Sequence, residues 1–193
     1  MKGMTMSSLL SRRTLLLASS VLLAAGAATP GVFGAASVAR AASAAEVERT
    51  PLPDGNPFPI SSAVTVPAGF DTVFVSGTLP AVSNKDAPKG SVEAYGDTET
   101  QALSALTLIK GTLARLGLSM GDIVKMTVFM VADPTKDNKL DFAGLMASYS
   151  KFFGTPEQPN KPARSAVQVA ALVAPGALLE IEVIAAKPHK AKH

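Results

Sequence analysis

The sequence predicts an α+β domain, with two helices laid on one face of a mixed sheet in the order ββαβαββ. Three observations predict it. Runs such as "TVFVSG", "DIVKMTVFMV" and "LLEIEVIAA" are short, rich in β-branched residues and set between Gly, Pro, Asn or Asp, which is how strands read. Two longer stretches, from Thr98 and from Leu140, repeat apolar residues at helical spacing. Strand-like sequence separates the helices from each other, which favours a layered α+β arrangement.

Taken in order, residues 1–44 read as a leader. Their only charges are Lys2, Arg12, Arg13 and Arg40, and the segment between Thr14 and Ala39 is uncharged and rich in Ala and Gly. Arg12-Arg13, between Ser11 and Thr14, resembles a twin-arginine export signal. Ala42 and Ala44 offer an A-x-A cleavage site. The expectation is a cleaved leader and a periplasmic or secreted product without a stable membrane anchor. Residues 45–62 ("EVERTPLPDGNPFPISS" at their heart) are irregular and read as a lead-in, residues 63–186 as the domain and 187–193 as a basic, solvated tail.

Within the domain, "AVTV" and "TVFVSG", split by "PAGFD", predict a hairpin. A loop with Asn, Asp, Pro and Gly follows. "TETQ" matches a capping box, with Thr98 and Gln101 exchanging bonds at the helix start. Ala102, Leu106, Ile109, Leu113 and Leu116 form its apolar stripe, and Gly117 ends it as a C′ glycine. "DIVKMTVFMV" is a near-continuous apolar run and reads as a central strand. "ADPTKDNK" is a turn. "LDFAGLMASYSKFF" is the second helix, its stripe carrying Phe142, Leu145, Met146, Tyr149 and Phe152–Phe153. Two strands hinged at Pro175-Gly176 complete the domain.

The last strand constrains function by its period alone. Leu179, Ile181, Val183 and Ala185 share one face, and Glu180, Glu182 and Ile184 the other. Two carboxylates on an interior strand cannot be buried unpaired without a cost of several kcal/mol. Their face therefore meets water, a cationic partner, a ligand or another subunit.

Composition removes many function classes. Hydrophobic residues are 47% and charged ones 17%, too apolar for a disordered chain. The net charge of +3 arises in the leader, and residues 45–193 carry 14 basic against 15 acidic side chains. No basic face for nucleic acid stands out beyond "KPHKAKH". There is no cysteine, and the two histidines, His189 and His193, lie in the tail. A thiolate site, a His-rich zinc site and a Ser-His-Asp triad are thus not expected, nor is a phosphate-cradling glycine loop. Neither a metal nor a cofactor is expected.

"VFVSGTLP", "GDIVKMTVFMVAD", "YSKFF", "PARSAVQVAAL" and "LLEIEVIAA", in this order and at these spacings, resemble the RidA family (YjgF/YER057c/UK114) over about residues 60–186. The resemblance implies the chorismate mutase-like fold, a homotrimer with clefts between subunits, and hydrolysis of 2-imino or enamine acids to 2-keto acids and ammonia. It implies that Arg164 binds the substrate carboxylate and that Glu180 orients the attacking water. Ser76 corresponds to a serine lining the same cleft, and Tyr149 is a further substrate-binding candidate. Glu182 is read as structural, and Gly77 and Pro80 as turn and strand-end residues. The chain also departs from the family. The tyrosine position falls on Ile60, with Phe58 the alternative, an asparagine becomes Met146, and a frequent cysteine becomes Ala166. A different reading follows from these departures: a non-catalytic trimer that holds a small molecule or a client protein outside the cytoplasm.

Overall fold

The computed structural model describes residues 46–189. The leader with Arg12-Arg13 and its cleavage site, and the last four residues of the tail, lie outside the described residues. The strands are β1 (Glu48–Thr50), β2 (Ala63–Thr65), β3 (Phe70–Thr78), β4 (Ile123–Met130), β5 (Ala163–Gln168) and β6 (Leu179–Pro188). The helices are the single turn α1 (Val92–Tyr95), α2 (Thr98–Arg115) and α3 (Phe142–Tyr149). Among the described residues no helix is long and apolar enough to cross a membrane.

Four strands make the main sheet in the order β3-β6-β4-β5. β6 runs antiparallel to both its neighbours, and β4 and β5 are parallel, so the sheet is mixed. Helices α2 and α3 cover one face. The core forms between Ala102, Leu106, Ile109 and Leu113 of α2, Leu145 and Tyr149 of α3, and the inward residues of β4 and β6. The period-2 reading of β6 holds: Leu179, Ile181, Val183 and Ala185 are buried, Glu180 and Ile184 are half-buried and Glu182 is exposed. Among the described residues no helix lies over the sheet's other face. Phe74 is 76% exposed there, with Val167 beside the far edge.

Three local expectations are corrected. The hairpin of the first two strands does not form, because β2 pairs with β1 and β3 pairs with β6. The lead-in is therefore partly ordered: the Arg49 guanidinium donates to the carbonyls of Ile123, Lys161 and Gly121 at 2.8–3.0 Å. The first long helix is capped by Asp97, whose side chain accepts from the Thr100 amide at 2.9 Å. Thr98 is buried against Gly144 of α3 and its hydroxyl finds no partner there. Gln101, also buried, bridges the Gly96 and Gly176 carbonyls and accepts from the Leu178 amide at 2.7 Å. It ties the chain entering β6 to the start of α2. Finally, β6 runs through Lys187 and Pro188, so the tail begins later than expected, and Lys187 donates to Leu116 O at 2.8 Å.

The helix stop at Gly117 is as expected. Gly117 has φ +71°, its amide bonds to Ala114 O, and the Leu118 amide bonds to Leu113 O, the paired bonds of a Schellman motif.

Candidate functional site

Arg164 lies on β5 with its side chain on the helix-covered side of the sheet. Its strand neighbours in register are Met126 of β4 and, one strand further, Val183 of β6, both buried. The guanidinium carbon sits 4.2 Å from the Tyr149 ring centroid, 5.4 Å from Phe58 and 5.5 Å from Phe142. Phe58 and Phe142 stack on each other at 6.2 Å. One guanidinium nitrogen donates to Met146 Sδ at 3.2 Å, and a thioether is a weak acceptor. Among the described residues no carboxylate lies within ion-pair distance of Arg164. Burial pulls its pKa down from the ordinary value, yet an arginine stays charged in proteins. It is a half-buried cation with most of its five N–H groups uncommitted.

Tyr149 explains why the cation rests there. The side chain is fully buried and its hydroxyl donates to Pro59 O at 2.9 Å. Burial pushes the hydroxyl's pKa well up, opposed by Arg164, so it remains a neutral donor. The ring presents its face to the guanidinium, and a desolvated cation on an aromatic face gains on the order of 2 kcal/mol. Ile60 packs into the core cluster, and so does Ala166. Of the two positions considered for the family tyrosine, it is Phe58 that approaches the arginine.

Glu180 stands elsewhere. It pairs in register with Phe129 of β4, which pairs with Val167 of β5. Counted along β4, this is three residues from the level of Arg164, an odd number, so the two side chains leave opposite faces of the sheet. Three residues along the strand and two strand spacings across place the Cα atoms about 14 Å apart. Glu180 borders a depression of about 270 Å³ with Phe129, Val169, Leu172 and Val173. Its carboxylate lies over Gly77, where a side chain would overlap Glu180 Oε1. Gly77 and Ser76 form a bulge in β3, between the pairs Val75↔Val183 and Thr78↔Ile181. Bulges commonly re-aim a strand beside a functional site. Ser76 is exposed on the same open face, in a shallow hollow with Phe74, Glu182 and Ile184.

The four candidate residues thus fall into two groups in one chain: Arg164 with Tyr149 on the helix-covered side, and Glu180 and Ser76 on the open face in separate hollows. Three residues act differently from their sequence-level roles: Phe142, expected in the helix stripe, stands at the arginine, Gly77, expected in a turn, lies beneath the glutamate, and Gln101, expected as a cap, lies behind β6. Gly77 had a signal, since a glycine inside a strand marks a bulge or a close approach. Among the described residues no group of three or more His, Cys, Asp or Glu is placed to hold a metal ion.

Residues 55–187 match the family model described as Endoribonuclease L-PSP. The chain is 34% identical over 134 residues to 3-aminoacrylate deaminase RutC of Acinetobacter baylyi, covering 69% of this chain and 94% of that one. It is 38% identical over 115 residues to the putative reactive intermediate deaminase TdcF of Escherichia coli K12, covering 60% and 78%. The fold is shared with YyfB of Yersinia pestis, a protein of unknown function in the conserved Rid family, at a TM-score of 0.53 and 24% identity over 72% of this chain and 96% of that one. With motifs, fold and relatives in agreement, the chain belongs to the RidA family, whose matching model is described as Endoribonuclease L-PSP.

Proposed function

We propose that the chain hydrolyses 2-imino and enamine acids to 2-keto acids and ammonia, at a cleft formed between subunits of a homotrimer. The observation that carries this is the Arg164 guanidinium on its aromatic bed, with no carboxylate partner among the described residues and one weak bond to Met146 Sδ. An arginine in that state suits a carboxylate, which it grips with two parallel hydrogen bonds. Relatives named as deaminases supply the reaction class.

In the proposed step the carboxylate rests on Arg164 and water adds to C2 of the imine. Glu180 accepts a proton from that water as the C2–O bond forms and passes it to the imine nitrogen. The C2 hydroxyl then gives its proton to the same nitrogen through the Glu180 carboxylate, the C2–N bond breaks, and ammonia leaves as the C=O closes. An enamine enters the same sequence after protonation at carbon gives the imine. The reaction consumes only water, so positioning carries most of the demand. Ser76 is assigned to the same cleft as a polar contact on the Glu180 side. Tyr149 acts from behind, as the platform that aims Arg164.

The opposite faces of Arg164 and Glu180 favour an assembly in which one chain's arginine faces its neighbour's glutamate. The uncovered sheet face, with exposed Phe74 and Val167 around Glu180 and Glu182, is the surface proposed to meet that neighbour. Residues 1–44 are proposed to export the protein through a twin-arginine route, giving a periplasmic or secreted product. The endoribonuclease of the family description finds less support, since Glu180 and Glu182 share the open face with Lys125 alone among cations of the main sheet strands there, leaving no basic face for a phosphodiester.

A non-catalytic binding trimer is the second reading. Met146 against the arginine, together with half-buried Ile60 and Ala166, favours it by leaving few polar groups near C2. The two are separated by coupling an amino-acid oxidase to the purified protein and trapping residual imine with semicarbazide. The deaminase reading expects loss of imine faster than with Arg164→Ala. Equal rates for wild type and variant across several amino acids would leave only the binding reading.

A further inference from the structure

Around Arg164, the side chains that this chain sets beside the guanidinium, Tyr149 apart, present carbon and sulfur. Phe58 and Phe142 stack 6.2 Å apart and lie 5.4 and 5.5 Å from the guanidinium carbon. Met146 completes the wall through its sulfur. The Tyr149 hydroxyl, which also lies near the guanidinium, has its proton committed to Pro59 O. Phe142 keeps 39% of its surface exposed, so aromatic surface stands free beside the cation. The substituent of a 2-imino acid leaves C2, one bond from the carboxylate carbon. It therefore arrives at the distance of these rings.

We propose that this half-site selects 2-imino acids with a large apolar side chain, aromatic above all, over those with a small or charged one. The inference rests on the deaminase reading and names the substrate class of that site. A charged or hydroxylated substituent would lose water here and gain no hydrogen bond. A phenyl or branched aliphatic one would cover the Phe142 ring and remove both surfaces from water. Discrimination by an apolar wall of this kind is worth on the order of tenfold to a hundredfold.

The test has two arms on the full protein. In the first, imines made by an amino-acid oxidase from phenylalanine, leucine, alanine and aspartate are followed by semicarbazide trapping. The expected order of kcat/KM is phenylalanine and leucine above alanine above aspartate, with a phenylalanine-to-alanine ratio of about ten or more. In Phe142→Ala that ratio falls at least threefold. Phe142→Leu, with its fold checked by circular dichroism, serves if the alanine variant does not fold. A wild-type ratio below three, or a ratio unmoved by either folded variant, overturns the proposal. The second arm needs no turnover: phenylpyruvate and pyruvate are titrated calorimetrically into wild type and Arg164→Ala. Phenylpyruvate binding at least threefold tighter, lost in the variant, supports the selectivity even where no imine is hydrolysed, in which case the deaminase reading alone fails. Equal or tighter pyruvate binding overturns the selectivity whether or not imines are hydrolysed.

Discussion

Replacing Gly77 with alanine should separate activity from stability. The added Cβ would overlap Glu180 Oε1 and sit 2.8 Å from its Cδ and 3.1 Å from its Cγ. Carbon atoms prefer about 3.5–4.0 Å, so the carboxylate must retreat by roughly 1 Å. Gly77 is not among the glycines with positive φ, and the backbone itself accepts alanine. Pushing a half-buried, flexible glutamate off its rotamer costs about 0.5–1.5 kcal/mol. The lower entropy of the unfolded alanine chain offsets about 0.4–1 kcal/mol of that, which leaves a net change of about 1 kcal/mol or less. Activity responds differently, because a misplacement of about 1 Å can cost up to a hundredfold. We expect kcat/KM for imine hydrolysis to fall between about tenfold and a hundredfold in a protein with a near-normal urea midpoint. Wild-type kcat/KM in folded G77A would refute the placement of Glu180 over this glycine as functionally important. A stability loss above about 2 kcal/mol would show that the backbone moves instead of the glutamate.

Three further outcomes follow from the same geometry. Asp97→Ala should cost about 1 kcal/mol in urea unfolding through the lost cap of α2. The Thr100 amide, and then its hydroxyl, hold the Asp97 carboxyl below its ordinary pKa, so that its charged form is favoured by folding. This contribution is present above the unfolded value near 3.9 and is lost as pH falls through the folded one. The stability gap between wild type and Asp97→Asn should therefore close below about pH 4, and a gap that widens there contradicts the assignment. Arg49→Met removes donors to three backbone carbonyls and should cost about 2–3 kcal/mol; an unchanged midpoint would mean that the lead-in is not anchored by this side chain. Tyr149→Phe should lose only the bond to Pro59 O, about 1 kcal/mol, and keep kcat/KM within about threefold. Tyr149→Leu also removes the ring beneath Arg164 and should raise KM about tenfold more, and equal KM values for the two would exclude the platform role.

Local features of the fold were legible because their causes are local. The alternation of Leu179, Ile181, Val183 and Ala185 with Glu180 and Glu182 is a period-2 pattern, and it told which side of β6 is covered. Gly117 announced a helix end through its own conformational freedom. Elsewhere two neighbours competed. Asp97 and Thr98 are both good caps, and the choice was settled by Thr98 packing on Gly144 of α3, more than 40 residues away. β1 carries no apolar alternation in "ERT", so its pairing with β2 left no trace in the pattern. The family motifs named Arg164 and Glu180, yet their placement on opposite faces depends on β4 lying between β5 and β6. Strand order is a non-local property. The aromatic bed has the same origin: Phe58, Phe142 and Tyr149 reach Arg164 from two separate segments.

Arg164 of one chain is proposed to work with Glu180 of another, and mixing two inactive variants tests this directly. Arg164→Ala and Glu180→Gln are each purified, then unfolded and refolded together in equal amounts. A site composed across chains needs the intact arginine of one variant and the intact glutamate of the other, so about a quarter of the sites should regain wild-type function in a randomly mixed cyclic assembly. Activity near that fraction in the mixture, with neither parent active alone, is the predicted result. A mixture as inactive as its parents, in assemblies shown to contain both variants, would mean that the two residues do not share a site across chains.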